Sequence, residues 1–128
     1  MENGLLRVVT SLRGTGQHAG VCIEFYGRSP RNSWFEAVRV DGYIGDVHYH
    51  SFTERGAVSE HEISTTKDRG EVAIAVSEFV RARVRFLMGE SGFGSAPVDE
   101  QSWEVVVNFV ANGILSIFAQ LSADCGDS

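Results

Sequence analysis

Two histidines one residue apart, His48 and His50, follow Asp46 in the stretch GDVHYHSFTE over residues 45–54. Imidazoles ligate transition metals and move protons near neutral pH. A second pair with the same spacing lies just upstream: Arg39 and Asp41, in WFEAVRVD. Residues two apart in a β-strand share a face. His48 and His50 therefore project together, with Asp46 on the same side, and Arg39 projects with Asp41. If the two segments form a hairpin with an even-length loop, Arg39 stands opposite His50 and Asp41 opposite His48, their Cβ atoms about 5 Å apart. One patch then holds two imidazoles, a guanidinium and one or two carboxylates. Those are the ingredients of acid–base catalysis, with Asp41 orienting a histidine and Arg39 binding an anion. Arg39, Asp41, His48 and His50 are the candidate catalytic residues. The alternative is an ordinary solvated sheet face, where polar residues belong and an exposed ion pair has little energetic consequence. An odd loop would put the two pairs on opposite faces.

The elements that must position these residues are legible from periodicity. Leu6, Val8 and Leu12 alternate with Arg7, Val9 and Arg13; Val21, Ile23 and Phe25 alternate with Cys22, Glu24 and Tyr26. Each run reads as a strand with one apolar face, joined by the glycine-rich loop GTGQHAG. In WFEAVRV, Trp34, Val38 and Val40 point one way and Phe35, Ala37, Arg39 and Asp41 the other. DGYIG reads as a turn, DVHYHSF as a fourth strand with Val47 and Tyr49 opposed to His48, His50 and Phe52, and AVSEHEIS as a short fifth. From Asp68 the period changes. Val72, Val76, Phe79, Val80, Val84 and Leu87 have helical spacing, Asp68 and Glu71 form a capping-box-like start, and Gly89 is a stop. GESGFGSAP is a connector. Residues 99–121 fit a helix begun by Pro97 and Asp99, although Asn112-Gly113 between apolar runs is also a hairpin signal. As a helix this segment is apolar on most sides, which calls for burial between the sheet and something else, such as a second subunit. The expected fold class is α+β: a single domain over residues 1–128, with an antiparallel meander of four or five strands packed against one or two C-terminal helices.

Composition bounds the function. The chain has 128 residues and a net charge of −6, so a broad nucleic-acid surface is disfavoured. Arg81, Arg83 and Arg85, with Arg69 near the helix start, read as a solvated helix face rather than a phosphate patch. Cys22 and Cys125 match neither a zinc site nor a redox pair and are expected to be reduced. With no basic, apolar leader and no continuous apolar run of about 20 residues, the expectation is a cytoplasmic protein without a membrane partner. His18 and His61 read as surface residues.

Two family resemblances touch the same residues. Gly42, His48, His50 and Glu54 spell G-x5-H-x-H-x3-E, which resembles the first metal-binding motif of the cupins, where two histidines and a glutamate ligate a metal inside a small β-barrel. This resemblance implies a metal set of His48, His50 and Glu54, suited to zinc, nickel or iron with an open position. The second cupin motif brings another ligand histidine, and no histidine follows His61 here. The string W-x4-R-x-D, a glycine, then H-x-H (Trp34, Arg39, Asp41, Gly45, His48, His50), followed by a long helix, is similar to small bacterial proteins of the TumE-type toxin group and related uncharacterised families over residues 33–88. There an R-x-D strand leads to a histidine-rich strand. Gly42 stands where that group has an asparagine. The resemblance implies a toxin–antitoxin or defence role and carries over Arg39, Asp41, His48 and His50.

Three functions follow as expectations. The first is a small bacterial or phage protein of toxin–antitoxin or defence type that acts through protein–protein contacts as a homodimer. The second is a small enzyme, a nuclease or nucleotide-acting toxin, using the Arg/Asp/His patch. The third is a metal-binding protein using His48, His50 and Glu54. No other cofactor is indicated.

Overall fold

The computed structural model describes residues 1, 6–28, 33–53, 56, 58–90 and 99–124. Among these, five strands form one antiparallel sheet in sequence order: β1 (Leu6–Arg13), β2 (Gly20–Arg28), β3 (Trp34–Tyr43), β4 (Asp46–Phe52) and β5 (Val58–Ser64). Helix α1 (Arg69–Phe79) runs through a π-helical stretch, Val80–Val84, into α2 (Arg85–Glu90), and α3 (Glu100–Asp124) follows. This is the α+β meander that the alternating and helical periods predict.

The helices cover one face of the sheet. Leu6, Val8, Val21, Ile23, Phe25, Val38, Val40 and Val47 meet Val72, Val76, Val80, Val84, Trp103, Val106, Val110 and Ile114 in one buried cluster. Phe25 lies with its ring centroid 6.2 Å from that of Trp103. The Trp103 indole donates to the Val80 carbonyl at 3.3 Å, in the π stretch, where the i→i+5 spacing loosens the local hydrogen-bond ladder. The start of α1 is fixed as expected: the Glu71 amide donates to Asp68 Oδ1 at 2.9 Å. The helix passes through Gly89 to Glu90, so Gly89 lies in its last turn rather than after it.

Two further differences, and the choice of helix over hairpin for residues 99–121, have physical reasons. The register between β2 and β3 shifts between Phe25 and Tyr26, so that Val38 pairs with Phe25 and Glu36 with Tyr26. The extra residue, Ala37, reverses the phase of alternation. Trp34 therefore does not join Val38 and Val40 in the core. It pairs with Arg28, and the guanidinium carbons of Arg7 and Arg28 lie 4.6 and 5.2 Å from its ring centroid. Second, α3 is a helix throughout, and Asn112-Gly113 is not a turn. A Cβ on Gly113 would lie 3.0 Å from Thr10 Oγ1; the glycine lets α3 approach β1 closely. Third, α3 buries one side only. Trp103, Val106, Val107, Val110, Ile114, Phe118 and Leu121 are buried, while Val105 and Leu115 are 58% and 62% exposed. An 18-residue window within Glu100–Leu121 has a mean hydropathy of 1.5, enough by length and composition to cross a membrane. Polar residues interrupt this stretch every few positions, and its apolar residues outweigh them in the average, so no continuous run reveals it. A helix packed on a sheet passes the same test.

Candidate functional site

The site is built by register. The β3–β4 connection has only Ile44 and Gly45 between the paired residues Tyr43 and Asp46, with Gly45 at φ +80°, a conformation that glycine adopts without steric cost. A two-residue loop is even, so Arg39 lies opposite His50 and Asp41 opposite His48. On the other side of β3, Cys22 pairs with Asp41 and Glu24 with Arg39. Beyond β4, Glu60 pairs with His50 and Glu62 with His48. All these side chains project from the sheet face that the helices leave uncovered.

At the centre is Asp41, 6% exposed and the one buried charged residue among those described. Its Oδ2 lies 3.3 Å from Arg39 Nε, 3.2 Å from His48 Nε2 and 3.3 Å from His50 Nε2. The two imidazoles stand edge to face, centroids 5.0 Å apart. His48 Nδ1 is 3.0 Å from Asp46 Oδ1, and His50 Nε2 is 3.4 Å from Glu60 Oε1. Arg13, Cys22, Arg39, Asp41, Tyr43, His48 and His50 line a pocket of about 290 Å³, close to the lower end of small-ligand sites.

Electrostatics differentiates the members. Burial, and then the Arg39 guanidinium, push His50 below its ordinary value, so it is a neutral imidazole near pH 7. Burial, followed by the negative charge of Asp41 and a hydrogen bond with it, pushes the Cys22 thiol up to about 12. Cys22 is thus a protonated, buried free thiol, not a nucleophile. Burial alone would lower the Arg39 value, but the carboxylates of Asp41 and Glu36 more than offset it and hold the guanidinium charged. Beside Arg39, Tyr26 Oη donates to Glu24 Oε2 at 2.7 Å. Burial, then a hydrogen bond with Glu24, raises Glu36 to about 7. Burial opposes ionisation of Glu24, but hydrogen bonds from Tyr26 and Glu36 outweigh it and bring Glu24 below its ordinary value. The pair holds one proton between two carboxylates.

Arg39, Asp41, His48 and His50 are therefore brought together. Arg39 is turned partly toward Asp41 rather than wholly toward the pocket. Glu54, the third residue of the cupin-like metal set, lies outside the described residues, as do Cys125 and Pro97. Asp41 instead supplies the carboxylate with ligand atoms grouped with those of His48 and His50. Sequence reasoning passed over Cys22, Arg13, Tyr43 and Glu60 as neighbours of the site; the available signal was their phase, since Arg13, Cys22 and Glu60 sit on polar-face positions of β1, β2 and β5 and Tyr43 continues the phase of Arg39 and Asp41 on β3. His61 stacks on Tyr49 at 4.8 Å on the other sheet face, and His18 is exposed. Arg81 pairs with Glu104 and Arg83 lies against Phe86, which suits a solvated helix face. Comparisons with protein-family models, with curated proteins and with solved structures find no match for this chain.

Proposed function

We propose that the protein is a small enzyme of the toxin or defence type, and that the outer-face pocket performs acid–base chemistry on a small phosphate-bearing substrate of the nucleotide class. The observation that carries this reading is the buried Asp41 carboxylate shared by Arg39, His48 and His50. A carboxylate that fixes two imidazoles beside a guanidinium joins proton transfer to anion recognition. His50, neutral near pH 7, is the base; His48, held by Asp46, is the partner acid; Arg39 and Arg13 supply positive charge for the anion. The overall charge of −6 favours a small substrate over a nucleic-acid polymer. Phosphorus NMR of the purified full chain with a panel of nucleoside phosphates tests the proposal. Turnover is expected, falling at least 100-fold in His50→Ala, the usual weight of a general base. No turnover with any member of the panel, or equal turnover in the variant, would contradict it.

A second reading, contact with a protein partner or a second copy, is favoured by apolar surface on the helical side. Ile74 and Leu115 are 58% and 62% exposed and border a shallow groove between α1 and α3, lined also by Ala73 and Ala111. Size-exclusion with light scattering would give a dimer that Leu115→Glu converts to a monomer; a strict monomer at micromolar concentration removes this reading.

A further inference from the structure

We propose that Asp41, His48 and His50 bind a divalent transition-metal ion of the zinc or iron(II) class, with Glu60 as a fourth ligand drawn in from β5. This rests on the reading of the outer pocket as the working site, names the cofactor the pocket takes, and assigns His48 and His50 to ligation in place of direct acid and base roles.

The first support is the convergence of the donors. Asp46 Oδ1 holds His48 Nδ1 at 3.0 Å, which leaves His48 Nε2 facing Asp41 Oδ2, 3.2 Å away. His50 Nε2 faces the same oxygen at 3.3 Å, so one cation between them would serve His48, His50 and Asp41 together. The contact with Asp46 is also the outer carboxylate that orients metal-ligating imidazoles in many proteins.

The second support is distance. A charge-assisted N–H···O bond to a carboxylate is about 2.7–2.9 Å long. The gaps from Asp41 Oδ2 to the two Nε2 atoms are 3.2 and 3.3 Å. Ligands about 2.0–2.1 Å from a tetrahedral zinc ion stand about 3.3 Å from one another. The three ligand atoms all lie within 4.8 Å of one another.

The third support is the charge and type of the donors. Glu60 Oε1 lies 3.4 Å from His50 Nε2 and 3.9 Å from His48 Nε2, and its side chain is 65% exposed, free to swing inward. Two imidazoles with one or two carboxylates and no thiolate suit zinc or iron(II) better than calcium or magnesium. Arg39 opposes a cation, because its Nε is 3.3 Å from the same Oδ2. It approaches as a hydrogen-bond donor to Asp41, the outer-sphere role that holds a ligating carboxylate in place.

The test uses the untagged full chain, stripped with chelator and titrated with Co²⁺ followed by visible absorption, and with Zn²⁺ followed by calorimetry. One equivalent of each is expected, with the intense visible bands of low-coordinate cobalt. Affinity should fall at least tenfold in Asp41→Asn and in His50→Gln, and about tenfold in Asp46→Asn. The double variant His18→Gln/His61→Gln should bind as the wild type does. Two site variants are used so that misfolding of one leaves the other as the test. No uptake by wild type, or uptake that survives Asp41→Asn and His50→Gln but vanishes in the His18/His61 double variant, overturns the site. Nucleotide turnover by protein that takes up no metal would overturn it while leaving the acid–base reading intact. Site-dependent metal binding without turnover would uphold it and remove that reading instead.

Discussion

Strands β3 and β4 have two faces made from alternate residues of the same segments, and the two faces do different work. Toward the helices, Val38, Val40 and Val47 are fully buried in an apolar cluster. Toward solvent, Arg39, His48 and His50 converge on a single carboxylate oxygen, Oδ2 of Asp41. The inner face holds the strands in register, and the outer face inherits that register as the geometry of a site. A one-residue slip would exchange the two sets, so packing energy on one side specifies chemistry on the other. Sites carried on strands are held more closely than sites on loops, and here every member of the candidate site lies on a strand.

The largest expected effect separates the faces directly. Phe25→Ala, on the inner face, should lower stability by about 3–5 kcal/mol, because it removes a buried ring and leaves a cavity against Trp103. His48→Ala, on the outer face, should cost about 1–2 kcal/mol, because Asp41 keeps Arg39 and His50 as partners, while reducing pocket function at least 100-fold. Denaturant unfolding and turnover measured on both variants check the contrast; equal losses of stability would break it.

A smaller effect sharpens the comparison at the Glu24–Glu36 pair. Glu36 keeps its proton in the folded protein to about 7, against 4.5 for the free side chain. A raised carboxyl contributes stability below the unfolded value, and that contribution is lost as pH rises through the folded one. Glu36→Gln should therefore match wild type near pH 4 and exceed it by about 1 kcal/mol at pH 8, after allowance for solvent screening. A variant that gains nothing on going from pH 4 to pH 8 would show that the outer face carries no stored proton.

Much of this was legible in the residues. Alternation placed Val21, Ile23 and Phe25 inward, and it paired Arg39 with His50 and Asp41 with His48 on the condition of an even loop, which the Ile44-Gly45 connection meets. Helical spacing and the Asp68–Glu71 cap gave α1. What was not legible depended on contacts between segments. The bulge at Ala37, which moves Trp34 to the polar side, exists only because β2 and β3 must both satisfy the core. Gly113 has the chemistry of a turn residue, and only the closeness of Thr10 explains it within a helix. Glu60 belongs beside His50 through the β4–β5 register, which itself shifts between Val47 and His48; Glu54, nearer in sequence, drew the metal reading instead. Local pattern fixes faces, whereas the identity of neighbours two strands away requires the assembled sheet.

The most direct test of the claim that Arg39, Asp41, His48 and His50 form one electrostatic unit is the titration of His50 by NMR in metal-free protein. His50 should titrate below 6.5, move up in Arg39→Met, where the neighbouring positive charge is gone, and move further down in Asp41→Asn, where the compensating carboxylate is gone. A His50 that titrates at 6.5 and responds to neither substitution would contradict the account.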